Sequence, residues 1–197
     1  MTTRKEGKPV TICICGLAGS GKSTQARQLA RKYGFKHYSG GDALKVLALD
    51  AGYNDIDRGW WESSEGLRFL EKRREDPKFD EAIDKKLLEL AQRGNVILDS
   101  WTMPWLLKEG FKIWLEASIE RRAERVARRD RISVDDALKA LRRKEEQTKS
   151  IYKKLYGFDL GEDFAPFHFI LDTECLNSEE CFLILCRVIE NVVLNKN

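Results

Sequence analysis

Ten residues near the start of the chain, Cys15 to Thr24 in CGLAGSGKST, combine three glycines with one lysine. Gly16, Gly21, Lys22 and Ser23 fit the spacing G-x-x-x-x-G-K-[ST]. Glycines let backbone N–H groups turn inward around a phosphate, the lysine reaches the outer phosphates, and the serine hydroxyl can ligate magnesium. The pattern predicts a loop that binds nucleotide phosphates. A fortuitous glycine-rich turn is the alternative.

A second candidate group, Asp99, ends the apolar run NVILDS. A carboxylate at the end of a parallel strand faces the carboxyl edge of the sheet, where α/β folds bind their ligands. Asp99 would therefore contact magnesium together with Ser23, directly or through water. The alternative is that Asp99 caps the segment that follows it.

Six arginines fall within eleven positions of the segment SIERRAERVARRDR, beginning at Arg121. On a helix, Arg122, Arg125 and Arg129 would share one face. Such a run indicates a solvated helix surface, a nucleic-acid contact, or a set of guanidinium groups that stack on a base and bind a transferring phosphoryl group. Beside a phosphate-binding loop we favour the third interpretation.

The elements that must position these residues alternate along the chain. The strand-like run PVTICIC precedes the glycine loop, and KSTQARQLARKYG follows it with helical periodicity that Gly34 ends. Further strands are predicted at FKHYS, NVILDS, FKIWLEA and FHFILDT, with helices between them and a C-terminal helix after NSEE. DEAIDKKLLELAQRG is a helix with Asp80 as a candidate N-cap, and the polar stretch 54–80 suggests a small lobe. This alternation predicts a parallel sheet covered on both faces.

Composition limits the remaining choices. The 197 residues, 42% of them hydrophobic, suffice for one domain, and a net charge of +3 does not indicate a nucleic-acid protein. Five cysteines without a signal peptide argue against a disulfide framework, and no run is long enough to span a bilayer. We expect a cytoplasmic monomer with small-molecule partners, and neither a nucleic-acid nor a membrane partner.

The chain resembles the archaeal type of cytidylate kinase, within the nucleoside monophosphate kinase family, from about Pro9 to Glu190. The likeness rests on GLAGSGKST, YSGGDALK, FDEAIDKKLLELAQRGNVIL, KIWLEAS, RAERVARRDRISVDDALK, YKKLYGFDL and ILDT. The resemblance implies a single P-loop kinase domain over 1–197, with five parallel strands covered by helices. It also implies a helical acceptor-binding lobe at about 40–93 and a lid at about 130–155.

The resemblance also implies roles for individual residues. The ATP phosphates would be held by Gly16, Leu17, Ala18, Gly19, Ser20, Gly21, Lys22, Ser23 and Thr24. Arg125 would lie along the adenine and Arg129 near the transferring phosphoryl group, and with Lys22 and Asp42 they form the predicted catalytic set. The acceptor would contact Asp42, Lys45, Asp84 and Trp101, and the lid would present Arg142, Arg143, Lys149 and Lys153.

Several positions depart from the family pattern, and all lie in the acceptor half. Lys45 and Trp101 stand where the family has arginine, and Ser150 and Ile151 precede Tyr152 where the lid helix carries arginine. Lysine is a point charge rather than a bidentate fork, so Lys45 does not replace arginine equivalently. Trp101 can stack on a flat base but cannot neutralise a dianion, whereas Trp105 is expected to pack in the core.

Three functions follow from this pattern. The first is transfer of the ATP γ-phosphoryl group, with Mg²⁺, to CMP, dCMP or a related monophosphate. The second keeps the ATP site but uses an acceptor without a phosphate, such as a nucleoside, which the missing arginines favour. The third is a nucleotide-binding regulatory module without turnover, against which the intact glycine loop, Asp99 and arginine helix argue.

Overall fold

Five short parallel strands form one sheet in this computed structural model, which describes residues 9–53, 60–76 and 78–195. The strands are β1 (Thr11–Cys15), β2 (Lys36–Ser39), β3 (Val96–Asp99), β4 (Phe111–Glu116) and β5 (Phe169–Asp172). Their order is β2-β3-β1-β4-β5, and every neighbouring pair is parallel. The predicted five-stranded parallel sheet is thus confirmed. Its register places Asp99 beside Ile14 of β1 and Ser39 of β2, all at the carboxyl edge.

Eight α-helices occur in the described ranges. They are α1 (Lys22–Tyr33), α2 (Gly40–Asp50), α3 (Ser64–Glu75), α4 (Lys78–Ala91), α5 (Met103–Leu106), α6 (Ile119–Asp130), α7 (Val134–Tyr156) and α8 (Ser178–Ile189). A 3₁₀ turn at Trp60–Glu62 precedes α3, and a π-helical turn at Glu190–Leu194 follows α8. None of these helices is long and apolar enough to span a membrane.

Each face of the sheet has its own apolar core. On one face, Ile12 and Ile14 of β1 pack with Leu29 of α1 and Leu185 of α8. On the other, Leu98 of β3 packs among residues of α2, α3 and α4. β1 contributes residues to both cores because successive side chains of a strand point to opposite faces. The five cysteines are all free, four of them buried, so no disulfide contributes.

Hydroxyl and amide side chains fix where the helices begin. Ser39, Ser118 and Ser133 cap α2, α6 and α7 by accepting hydrogen bonds from backbone N–H groups. Asn177 and Glu180 form a capping box at the start of α8. Two of these capping residues, Ser39 and Asn177, line a cavity at the carboxyl edge of the sheet.

The segments predicted as acceptor lobe and lid are helical. α2 packs on α4, while α3 contacts both α4 and α7. α6 and α7 pack along each other and are joined by residues 131–133 alone, so most of the predicted lid, 130–155, is the helix α7. The proposed division into lobe and lid stays a prediction, and the parts of the lobe at 54–59 and at 77 lie outside the described residues.

Candidate active site

A cavity of about 970 Å³ opens at the carboxyl edge of the sheet. The glycine loop and α1 form one wall, and the start of α2 and one face of α4 form another. Residues 99–102, four arginines of α6, part of α7 and the start of α8 also line it, together with Trp61 and Arg73. Its size and position are typical of a site for small substrates in an α/β fold.

Glycines allow the phosphate-binding loop to close tightly. Gly16 and Gly19 have φ angles of +146° and +84°. A Cβ atom at Gly16 would lie 2.5 Å from the carbonyl oxygen of Leu115, and one at Gly19 would lie 2.7 Å from that of Arg122. Residues 18–24 line the cavity, whereas Gly16 and Leu17 are buried and do not line it. Those two predicted ATP contacts are therefore not among the residues that line the cavity.

Lys22 stands at the first turn of α1 and lines the cavity. Its Nζ atom lies 5.3 Å from the ring centroid of Trp101. The indole N–H of Trp101 donates to the carbonyl oxygen of Gly16 over 2.6 Å. Trp101 therefore connects the loop after β3 to the glycine loop and supports the lysine with its ring face.

Asp99 and Ser23 both line this cavity. Asp99 is 3% exposed, and its Oδ2 atom has no hydrogen-bond partner among the described residues. The alternative role as a helix cap does not apply, because α5 begins four residues later with Thr102 at its N-cap position. Carboxylate and hydroxyl oxygens suit Mg²⁺, which binds few protein ligands beside substrate phosphates and water. The two residues fit the predicted magnesium site.

The arginines of α6 separate into two roles. Arg121, Arg125, Arg128 and Arg129 line the cavity. Arg125 is fixed by donating to Thr173 Oγ1 at 2.9 Å and to the carbonyl oxygen of Thr173 in the loop after β5. Burial lowers its pKa. Arg129 is more exposed and pairs with Asp130.

Sequence periodicity placed Arg122 on the same helix face as Arg125 and Arg129, but its side chain is buried and bonds to neighbouring elements instead of lining the cavity. It pairs with Glu145 of α7 and donates to the carbonyl oxygens of Ala117 and Ala18, each at 3.1 Å. Because Ala18 belongs to the glycine loop, this arginine connects α6 and α7 to the loop.

The four residues predicted to contact the acceptor, Asp42, Lys45, Asp84 and Trp101, all line the cavity. Asp42 is exposed at the start of α2, with Lys45 one turn later. Asp84 is 6% exposed and accepts hydrogen bonds from Thr102 Oγ1 at 2.6 Å and Tyr156 OH at 2.7 Å. Burial raises the pKa of Asp84 to about 6, against the lowering effect of these two donors.

Several residues that line the cavity were not predicted from the sequence, among them Arg73, Lys144 and Trp61. Arg73 of α3 pairs bidentately with Asp80, and its Nη2 atom lies 3.5 Å from the hydroxyl of Tyr152. Asp80 is therefore not the N-cap of α4, since it lies inside that helix and binds Arg73. Lys144 of α7 and Trp61 also line the cavity.

A signal for Lys144 was present in the sequence. It continues the apolar series Ala137, Ala140 and Leu141 at helical spacing, on the buried face of α7. Arg73 had no such signal because it lies in a polar stretch.

The four predicted lid cations do not line the cavity. Arg142 is exposed, and Arg143 pairs with Glu71 of α3. Lys149 and Lys153 pair with Glu162 and Asp159, at 2.9 and 2.6 Å. They lie off the buried face of α7, so the helix presents Lys144 and Tyr152 to the cavity instead. Their role at the substrate stays a prediction.

Trp105 packs as predicted. Its ring stacks on Phe158 with centroids 4.0 Å apart, and its N–H donates to Asp163. It does not line the cavity that Trp101 lines.

The fold and the phosphate loop define a P-loop kinase. Among solved structures, the chain is similar to shikimate kinase from Bacteroides thetaiotaomicron, with a TM-score of 0.56, 16% identity, and 94% of this chain and 99% of that chain covered. It is also similar to deoxyadenosine kinase from M. mycoides with bound dATP, with a TM-score of 0.54, 16% identity, and coverage of 92% and 100%. These likenesses concern the fold alone.

Sequence comparison gives the family. The model of the cytidylate kinase-like family matches residues 11–175. Cytidylate kinase of Pyrococcus abyssi is 34% identical over 185 residues, which cover 93% of this chain and 95% of that protein. Cytidylate kinase of Methanocaldococcus jannaschii is 34% identical over 186 residues, covering 92% and 98%. The chain belongs to the cytidylate kinase-like family.

Proposed function

We propose that this protein transfers the γ-phosphoryl group of ATP to CMP or dCMP, with Mg²⁺ bound at Asp99 and Ser23. The observation that carries the proposal is a single cavity with a phosphate loop at one side and a buried polar floor at the other. The relatives named cytidylate kinase support CMP as the acceptor.

The donor half would hold ATP through the glycine loop and α6. Backbone N–H groups of the loop and the N-terminus of α1 favour the phosphates, and Lys22 neutralises the outer ones. Arg125, along which the resemblance places the adenine, donates hydrogen bonds to the loop after β5. Magnesium at this site would neutralise charge on the phosphates, and Asp99 offers it an unpartnered oxygen.

The acceptor half would recognise a base at the floor of the cavity. Asp84 accepts two hydrogen bonds and, as a carboxylate, retains capacity for an exocyclic amino group. The Arg73–Asp80 pair beside it supplies further donors. Cytosine presents one amino group and two adjacent acceptors, which suits this mixture. Asp42 would orient the acceptor from the start of α2.

Charge favours polyanionic substrates in this cavity. Among the described residues that line it, nine are basic and five are acidic. Arg73–Asp80 and Arg121–Glu124 form ion pairs within this set. A positive, partly enclosed surface concentrates nucleotides and stabilises the charge that spreads over a transferring phosphoryl group. Placing the two substrates in line supplies most of the rate in this chemistry.

A panel assay with labelled ATP tests the proposal. Purified protein is given Mg²⁺ and each nucleoside monophosphate, deoxymonophosphate and nucleoside in turn. We expect the highest kcat/KM with CMP or dCMP. Transfer only to nucleosides would favour the second candidate, a kinase with a phosphate-free acceptor, which Trp101 and Ile151 in place of arginines support. ATP binding without transfer to any acceptor would contradict both.

A further inference from the structure

One buried amide of α1, that of Gln25, connects this helix to the start of α8. The residue is 2% exposed, and its Nε2 atom donates to the carbonyl oxygen of Ser178 at 2.9 Å and to Ser178 Oγ at 3.3 Å. A carbonyl oxygen can only accept a hydrogen bond, so this contact fixes which way the amide group faces. The Oε1 atom of Gln25 is buried and has no hydrogen-bond partner among the described residues.

The amide of Gln25 belongs to the same part of the cavity as Arg125. Both residues line the cavity, as do Leu176 and Ser178. Arg125 donates to the carbonyl oxygen of Leu176 at 3.5 Å, and Gln25 binds the carbonyl oxygen two residues further along the chain. A donor base that lies along Arg125, as the resemblance implies, would therefore lie close to the Gln25 amide.

The backbone between β5 and α8 has many of its hydrogen-bond acceptors already in use. Four of its carbonyl oxygens accept hydrogen bonds from side chains of α1 and α6, and they belong to Thr173, Glu174, Leu176 and Ser178. The Oε1 atom of Gln25, in contrast, is an acceptor without a donor among the described residues. An unpaired buried acceptor costs free energy, so a hydrogen-bond donor supplied by a ligand is favoured at this atom.

We propose that Gln25 determines the base of the donor nucleotide, its Oε1 atom accepting a hydrogen bond from the exocyclic amino group of adenine. The inference rests on the proposed kinase function. Guanine carries a carbonyl oxygen at the corresponding ring position, and two acceptors that face each other form no hydrogen bond. The amide cannot reverse to adapt, because its oxygen would then face the carbonyl oxygen of Ser178. A purely structural Gln25, which joins α1 to α8 and contacts no substrate, is the competing explanation.

Binding of ATP and of purine riboside triphosphate separates these explanations, because the two ligands differ only in the amino group of the base. Calorimetry with Mg²⁺ and without an acceptor gives both Kd values. We expect the unaltered protein to bind ATP about 3- to 10-fold more tightly, as for one hydrogen bond. In Gln25→Met, which keeps the length of the side chain and lacks the amide, the two Kd values should agree within about twofold. Loss of the contact with Ser178 affects both ligands alike and cancels in their ratio.

Gln28→Met is the matched control, since Gln28 lies on the same helix, also has an unpartnered Oε1 atom among the described residues, and does not line the cavity. This variant should keep the preference for ATP. If Gln25→Met does not fold, Gln25→Leu is measured in its place with the same expectation. Equal affinity of the unaltered protein for the two triphosphates, or a preference for ATP that the Gln25 variant retains, overturns the proposal. Failure of the proposed function is a separate result, namely preferential ATP binding without transfer to CMP.

Discussion

Asp84 is a carboxylate held where water scarcely solvates it. Its two hydrogen-bond donors, Thr102 and Tyr156, only partly offset the cost of burial, which raises its pKa to about 6 from an ordinary 3.8. The folded protein therefore binds a proton at this site more tightly than the unfolded chain does. Between about pH 4 and pH 6, the contribution of Asp84 to stability falls as pH rises.

Asp84→Asn should remove this pH dependence. The buried charge costs on the order of 2–3 kcal/mol above about pH 6, so we expect the variant to gain stability relative to the unaltered protein as pH rises from 4.5 to 7.5. Urea unfolding at several pH values measures the difference. Because the substitution removes an acceptor for an amino group, the KM for CMP at pH 7.5 should rise. Parallel stability curves for the two proteins would contradict the raised pKa.

Asp99→Asn tests the metal site. The unpartnered Oδ2 atom of Asp99 indicates a ligand supplied from the cavity. We expect a higher magnesium concentration for half-maximal rate and a kcat lower by on the order of 10²-fold. A variant whose melting temperature changes while its magnesium dependence does not would exclude Asp99 from the metal site.

Trp101 combines two functions that different substitutions can separate. Trp101→Phe keeps a ring face but loses the N–H bond to Gly16, so the KM for ATP should rise about fivefold, as for one lost hydrogen bond. CMP affinity should stay within about threefold. Trp101→Leu also loses the ring face and should weaken CMP binding by a further 3- to 10-fold. Equal CMP affinity in the two variants would show that the ring face of Trp101 does not contribute to the acceptor site.

At the scale of elements, α6 and α7 together form one side of the cavity. α6 contributes Arg125 and Arg129 to its lining, and α7 contributes Lys144 and Tyr152. The buried pair Arg122–Glu145 holds the two helices together and reaches the glycine loop through Ala18. Loss of this pair should therefore affect both stability and ATP binding.

Glu145→Ala leaves the guanidinium of Arg122 buried without its carboxylate. Removing one partner of a buried pair costs about 3–5 kcal/mol, which we expect in the free energy of unfolding by urea. The KM for ATP should also rise, because Arg122 supports the loop. Glu146→Ala, the exposed neighbour on α7, is the control and should stay within about 0.5 kcal/mol. If Glu145→Ala also changed the free energy of unfolding by less than about 0.5 kcal/mol, the Arg122–Glu145 pair would not be what holds α6 and α7 together.

Sequence patterns predicted where the helices and strands lie better than which face of each helix is buried. The helix expected from residue 22 to Gly34 is α1, and the strand ending in Asp99 is β3, because periodicity and glycine act locally. The lid cations were assigned to the site from a resemblance, yet Lys149 and Lys153 pair with acidic residues on another face. Which face of a charged helix is buried depends on its tertiary neighbours, and the sequence does not display these.

At the scale of the whole molecule, the cavity collects residues that lie far apart in the chain, from Ala18 to Cys181. The glycine loop, Asp99 and the arginine run were predictable because each is a local motif at a strand end or on one helix. Arg73 and Asp80 are brought together by packing of α3 on α4, and the contact with Tyr152 needs α7 as well. Such a group has no single-sequence signature, so the acceptor half was predicted less completely than the donor half.

One cavity with two halves should bind two ligands at once, and unfolding experiments can count them. A ligand at 100 times its Kd stabilises a protein by about 2.7 kcal/mol, or roughly 5–10 °C for a chain of this size. A non-hydrolysable ATP analogue and CMP should each give this increment, and together they should give about twice as much. Lys22→Ala should reduce the increment from the ATP analogue more than that from CMP, and Asp84→Asn the increment from CMP more than that from the ATP analogue. If the two ligands together stabilise no more than one alone, they compete for one site, and the division into donor and acceptor halves is wrong.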